Sequence, residues 1–478
     1  MRARLTCGMV CAAGLVSCRA GTATDPRMIA EWTHALYGTI RVERLSPPVA
    51  SRLAAYATTA LYAGLAAADS TMPSVAAVLA GAPTTRREAR RGDIDPTITA
   101  VTAEGTVLDS LLREALPTTT AALRRLADSL VRDRQSAGVS DAQRARSDET
   151  GRAIGLAVVA WSRSDGFDAT RGKPYVPPKG PGLWFNDSPA TTYSTQSASG
   201  ASETVTFDNP ANQLRAGSSS DRALILSRPK NAGARTLPAA NMAGATEPYW
   251  GTLRPFVLDR WNDCAIPRVN SWSTAKESPL YRDALEVHRV KENLTADQRT
   301  IALFWADNAG ESGTPAGHWL SIASQIGSER HLSAKDAARA LMLTAAAQAD
   351  AFIAAWGYKY QYNLLRPRTY IRRVIDPAWE PTIPTPPFPE YPAGHSTQSA
   401  AAATVLTSVL GDGPFTDSTG ISIGHAVRRF ESFHAAALEA GESRIYGGIH
   451  FPSGNSGGRT LGECIGDKVV ARWRAASK

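Results

Sequence analysis

Cysteine is scarce: there are five in 478 residues, and Cys7, Cys11 and Cys18 fall within the first eighteen positions. A disulfide framework is thereby excluded, leaving Cys264 and Cys464 as a pair able to join after export. Charge of one sign is lacking too. Lys and Arg number 52 against 44 Asp and Glu, a formal +8 spread along the chain rather than gathered in an arm, which argues against a nucleic-acid binder. The densest basic run, Arg86, Arg87, Arg90 and Arg91, has Glu88 inside it, Asp93 beside it and no interleaved aromatic, so it reads as a solvated face. Beyond the first eighteen residues no apolar run reaches the length needed to cross a bilayer. The chain is instead 43% hydrophobic and 20% charged, enough apolar content for a large core and too much for general disorder.

Arg2 and Arg4 precede an apolar stretch from Leu5 to Val16, the pattern of an export signal and too short for a membrane span. Its end, Leu15-Val16-Ser17-Cys18, resembles the bacterial lipobox, which implies lipidation of Cys18. Arg19 stands where an inner-membrane retention signal would place Asp, which points to the outer membrane, cell surface or periplasm. The alternative is an ordinary cleaved signal ending near Ala20 to Ala23.

The chain divides by composition into a leader (1–18), an N-terminal helical region (19–172), a polar insert (173–249) and a helical region from 250 to 478. Ser51 to Ala68, Val107 to Arg134 and Asp141 to Arg163 carry apolar residues at helical spacing. The insert is rich in Ser, Thr, Gly, Asn and Pro, with β-like runs at Glu203 to Phe207 and Ala223 to Leu226 that suit a small hairpin. Thr295 to Gln298 has the form of a capping box, and Ser333 with Asp336 opens a helix reaching Tyr360. Seven prolines between 377 and 392 exclude a helix there and predict a rigid extended crossing. Helices are expected again at Ser396 to Leu410, Gly424 to Ala440 and Gly457 to Ala475. The expected fold is mainly α, with strands confined to the insert.

Three polar groups follow. Lys359 and Arg366 are seven apart, two helical turns, which predicts both cations on one face of a helix that Pro367 ends. Pro392-Ala393-Gly394-His395 stands where the rigid segment meets a new helix, and a glycine at a helix start lets backbone N–H groups approach an anion. Arg444 precedes His450 by six residues. The forms Lys-x6-Arg-Pro, Pro-x-Gly-His and Ser-Arg-x5-His, in this order, resemble the superfamily that joins vanadium-dependent haloperoxidases to type 2 phosphatidic acid phosphatases and bacterial acid phosphatases. The similarity to its soluble bacterial haloperoxidase-like branch runs from about Trp250 to the C-terminus.

The resemblance implies a helical-bundle haloperoxidase or acid-phosphatase type fold and an oxyanion site. Vanadate is the implied cofactor, and phosphate fits the same cradle. Lys359, Arg366, Arg444 and the Gly394 amide would surround the equatorial oxygens, which suits a trigonal-bipyramidal oxyanion. His450 would supply the axial nitrogen, as vanadium ligand or as phosphatase nucleophile, and His395 would act as acid or base on the opposite side. Trp356 and Phe388 fall where the family places aromatics beside the halide. Phe304-Trp305-Ala306-Asp307 resembles a family segment whose aspartate pairs with an active-site arginine. His318 is expected to pack or to line the pocket mouth, and His434 to be a core or surface residue.

Two departures are visible. The family's usual serine is Ala393, which removes a hydroxyl donor, and the phosphatase aspartate four residues after the second histidine is Gly454. The implied activity is oxidation of halide by hydrogen peroxide, with an organic acceptor downstream. The alternatives are a phosphatase using His450 as nucleophile and a non-catalytic oxyanion-binding surface lipoprotein. No nucleic-acid partner is expected, and membrane contact is expected through the lipid anchor alone, with oligomeric state open. If Cys18 is lipidated, globomycin leaves an unprocessed precursor in expressing cells, and normal processing would refute it.

Overall fold

The computed structural model describes residues 24, 26–84, 92–187 and 245–478, with the strands Thr191–Gln196 and Ser202–Phe207 between them. The leader with Cys18, the basic run at 86–91 and the β-like run at 223–226 lie outside the described residues.

The N-terminal region is helical: α1 (Arg27–Val42), α2 (Pro47–Ala66), the single turn α3 (Val75–Val78), α4 (Pro96–Leu111), α5 (Pro117–Ser136), α6 (Asp141–Arg163) and the single turn α7 (Phe167–Thr170). Proline in the first turn opens α2, α4 and α5, where its missing N–H would have had no helical partner anyway. This divides the helix expected over Val107 to Arg134 into α4 and α5, because Pro117 starts a new helix rather than continuing the old one.

In the insert, β1 (Thr191–Gln196) pairs antiparallel with β2 (Ser202–Phe207), Thr191 opposite Phe207. The expected strand near 203–207 is present, and its partner lies upstream.

The remainder comprises α8 (Pro279–Glu292), α9 (Ala296–Phe304), α10 (Thr314–Glu329), α11 (Ala334–Tyr362), α12 (Pro367–Val374), α13 (Gly394–Leu410), a ribbon of β3 (Phe415–Asp417) and β4 (Arg428–Phe430), α14 (Phe433–Tyr446) and α15 (Pro452–Ala476). The capping box is formed: Thr295 Oγ1 accepts from Gln298 N at 3.2 Å and Gln298 Oε1 accepts from Thr295 N at 3.0 Å. Two expectations fail between 415 and 440. Strands are not confined to the insert, and the helix expected from Gly424 starts only at Phe433. Gly424 sits at φ +88° and closes a turn, and Ser432 caps α14 by accepting from Ala435 N.

The buried residues of one continuous cluster run from Met28 to Val470, so the regions 19–172 and 250–478 share a core. Its axis is α11, packed against α2, α13 and α15. This helix is long and apolar enough to cross a membrane, contrary to the expectation that no such run exists, but 94% of its apolar window is buried in the bundle. Midway along it, buried Asp350 accepts from the N–H groups of Phe256, Val257 and Leu258 at 2.6–2.9 Å and ties that loop to the axis. Helix α15 closes onto α13 through Gly458, Gly462 and Gly466, where any Cβ would strike α13 or the residue before it.

Cys264 and Cys464, 200 residues apart, form a disulfide with Cα atoms 6.0 Å apart. It fastens α15 to the loop that Asp350 holds. Loop closure of this span stabilises by about 2–5 kcal/mol. Cys464→Ser should therefore lower the denaturant midpoint of unfolding, and an unchanged midpoint would show that the clasp contributes nothing.

Candidate active site

A cavity of about 60 Å³ opens between the start of α13, the proline-dense segment and the residues before α15, lined by Gly394, His395, Arg444, His450, Trp356, Phe388 and Asp307 among others. Lys359 and Arg366 are buried behind it. The structure thus gathers every residue expected at the site, though two of them by a different route.

Lys359 and Arg366 do not share a helix. Helix α11 ends at Tyr362, Asn363 adopts the left-handed conformation at φ +47°, and Arg366 is the N-cap of α12, which Pro367 starts. Proline was read as a terminator, and here it occupies the first helical turn, where it is favoured. The two cations converge because both are held by carbonyls of the proline-dense crossing. Lys359 Nζ donates to Pro389 O at 2.9 Å and Glu390 O at 2.7 Å. Arg366 Nε donates to Phe388 O at 2.7 Å. Burial drives the Lys359 pKa well down, and Arg366 adds to this. Burial also lowers Arg366 to about 10.

His450 is fixed on both ring nitrogens. Its Nδ1 lies 2.8 Å from Glu390 Oε1, which also accepts from Phe451 N at 2.9 Å. Arg366 Nη1 lies 3.0 Å from Nε2 and also donates to Ile449 O at 2.8 Å. A carboxylate can only accept and a guanidinium can only donate, so the proton sits on Nδ1 and the Nε2 lone pair faces the cations. That is the tautomer a ligand nitrogen or nucleophile requires. Burial, followed by Arg366, Lys359 and Arg444, holds the His450 pKa well below its usual value, which keeps the ring neutral.

Glu390 was missed in the sequence, although a signal existed at Gly454. A Cβ at 454 would collide with the Glu390 carboxylate. The acid that orients His450 therefore comes from the proline-dense segment, and the glycine makes room for it. Burial raises the Glu390 pKa to about 7 against the opposing pull of Lys359.

The backbone of Trp305 anchors the other side. Arg444 Nη2 donates to Trp305 O at 2.6 Å, and His395 hydrogen-bonds to the backbone of the same residue. Burial lowers Arg444 to about 10, with Asp307 pulling the other way. Burial together with Arg444 and His318 holds His395 well below its usual pKa.

Asp307 does not pair with an arginine, as the resemblance implied. Its carboxylate binds His318 Nδ1 at 2.9 Å and accepts from Ser312 at 3.1 Å, and it acts on Arg444 only across space. His318 is neither at the pocket mouth nor merely packed: its Nε2 lies 2.7 Å from Asp417, and its ring stacks on Trp305 at 4.6 Å. Burial disfavours its charge, but the two carboxylates outweigh burial and raise its pKa to about 10. Asp417 gave no sequence signal, because only the β3 ribbon brings it to α10. His434 is exposed, in line with a surface residue.

Trp356 and Phe388 line the cavity with ring centroids 4.8 Å apart. Among the buried polar atoms with no partner among the described residues are Arg366 Nη2 and His395 Nε2. A cationic donor and a neutral imidazole nitrogen, with the α13 N-terminus at Gly394, fit a small oxyanion.

A family model described as the VCPO second helical-bundle domain matches residues 339–477. The crystal structure of a bacterial vanadium-dependent iodoperoxidase superposes with TM-score 0.76 and 28% identity, covering 94% of this chain and 96% of that one. A bacterial vanadium-dependent chloroperoxidase, in its apo form, superposes with TM-score 0.64 and 15% identity over 91% and 95% of the two chains. In its holo form the values are 0.64 and 14% over 96% and 99%. No curated protein matches the chain. The chain therefore has the helical fold of these vanadium-dependent haloperoxidases, and its residues 339–477 are similar to their second helical-bundle domain.

Loss of an outer hydrogen bond to a ligand histidine typically weakens metal binding about 10–100-fold. Glu390→Gln should therefore weaken orthovanadate binding by that order in calorimetry, and wild-type affinity in this variant would remove Glu390 from the site.

Proposed function

We propose that the protein is a vanadate-dependent haloperoxidase that oxidises halide with hydrogen peroxide. The observation that carries this reading is His450, with its proton committed to Glu390 and its lone pair turned toward buried cations. The likeness to the iodoperoxidase over nearly the full length of both chains supports it. His450 Nε2 would hold vanadate, with Arg366, Arg444 and the Gly394 end of α13 facing its oxygens. When bound, vanadate supplies Lewis-acid activation of peroxide. His395, neutral and unpartnered at Nε2, accepts the proton that hydrogen peroxide gives up. The Trp356 and Phe388 rings form an apolar wall on which a weakly hydrated halide can rest. The missing Ala393 hydroxyl leaves these donors in place, so it weakens the cradle without removing it.

Glu390 favours a second reading. By orienting His450 it restores the support that Gly454 had withdrawn from a phosphatase nucleophile. Export with lipid attachment at Cys18 also belongs to the proposal, and the Cys264–Cys464 disulfide supports an oxidising compartment.

The deciding measurement pairs iodide and bromide oxidation, with and without orthovanadate, with hydrolysis of a phosphate monoester. Vanadate-dependent halide oxidation that disappears in His450→Ala is the expected outcome. Hydrolysis without halide oxidation would move the protein to the phosphatases, and silence in both assays would leave an oxyanion-binding protein.

A further inference from the structure

Thr246 lies at the end of the polar insert, outside the region from 250 onward in which the sequence placed the site. Its backbone is fastened to both sides of the aromatic wall. The Thr246 N–H donates to Pro387 O at 2.9 Å, and its carbonyl accepts from Trp356 Nε1 at 3.1 Å and Tyr360 OH at 2.8 Å. The residue is 4% exposed and lines the cavity, yet its hydroxyl has no partner among the described residues. A buried hydroxyl left unpaired is a standing penalty that a ligand can relieve.

The other groups on this side cannot serve. The Trp356 indole N–H is committed to Thr246 O, and Phe352, Phe388, Ile383, Pro384 and Pro386 carry no side-chain donor. Ser46 Oγ donates to Glu247 at 3.4 Å. Basic side chains back this wall. Lys359 Nζ lies 5.1 Å from the Phe388 ring centroid and 5.7 Å from that of Trp356, and the Arg366 guanidinium lies 4.6 Å from Phe388. A large monovalent anion on an aromatic wall backed by cations needs at least one directed donor to hold it in place.

We propose that the Thr246 hydroxyl donates the hydrogen bond that holds the halide against Trp356 and Phe388 and thereby sets halide affinity. The proposal rests on the haloperoxidase reading and adds a residue to it. Thr246→Val keeps the shape and removes the donor, whereas Thr246→Ser keeps the donor.

The test compares steady-state kinetics of the vanadate-loaded variants with a halide-binding measurement that needs no turnover. For Thr246→Val the bromide KM should rise roughly ten- to a hundredfold, the loss of one hydrogen bond to a charged group. Orthovanadate affinity should stay at the wild-type value, and Thr246→Ser should retain the wild-type KM. Crystals grown with phosphate and soaked in bromide should show an anomalous peak within hydrogen-bonding distance of Thr246 Oγ1, absent in Thr246→Val. A wild-type bromide KM in Thr246→Val, or a loss of orthovanadate affinity in its place, overturns the assignment. If the wild-type protein oxidises no halide, the haloperoxidase reading fails by itself. The crystal then decides the binding role alone, with a peak at Thr246 supporting it and no peak overturning it.

Discussion

Three buried cations, Lys359, Arg366 and Arg444, sit within reach of one another with a single carboxylate, Glu390, in direct contact with the histidine between them. Buried charge persists only when hydrogen bonds replace the lost water. Carbonyl oxygens do most of that here: Phe388, Pro389 and Glu390 from the proline-dense crossing, Ile449 before α15, and Ala302 and Trp305 at the end of α9. The density of proline between 377 and 392 thus has a physical purpose beyond stiffness. A segment unable to form a helix leaves its carbonyls free of internal partners, and those carbonyls can then face the cations.

The same constraint organises the bundle. Helix α11 must be buried along its length to deliver Lys359 to a dry site, and α2 of the N-terminal region supplies part of that cover. The close approach of α15 to α13, which glycines at 458, 462 and 466 permit, brings His450 and His395 to the same cavity. The ion cluster of Asp307, His318 and Asp417 joins the end of α9, α10 and the β3 ribbon beside Trp305. It holds the residue whose backbone both Arg444 and His395 use.

Much of this was legible in the sequence. The resemblance carried by the three motifs pointed to Lys359, Arg366, Gly394, His395, Arg444 and His450, because each motif is local in the chain. Helix starts at Thr295 and Ser333 were readable for the same reason. What escaped depends on backbone atoms or distant pairing. A sequence does not show which carbonyl faces Lys359, that Asp307 meets His318 instead of an arginine, or that Pro367 opens a helix. Glu390 was hidden because its partner His450 lies 60 positions away. Thr246 was hidden by the composition of the polar insert around it.

The bond between Cys264 and Cys464 has a practical side. Cys464 lies in α15, so this covalent tie can close only after the chain has been made through residue 464, and only where thiols are oxidised. Material recovered from a reducing cytoplasm would carry α15, which begins two residues after His450, without this fastening. The compartment in which the protein is produced is therefore itself a variable of its chemistry.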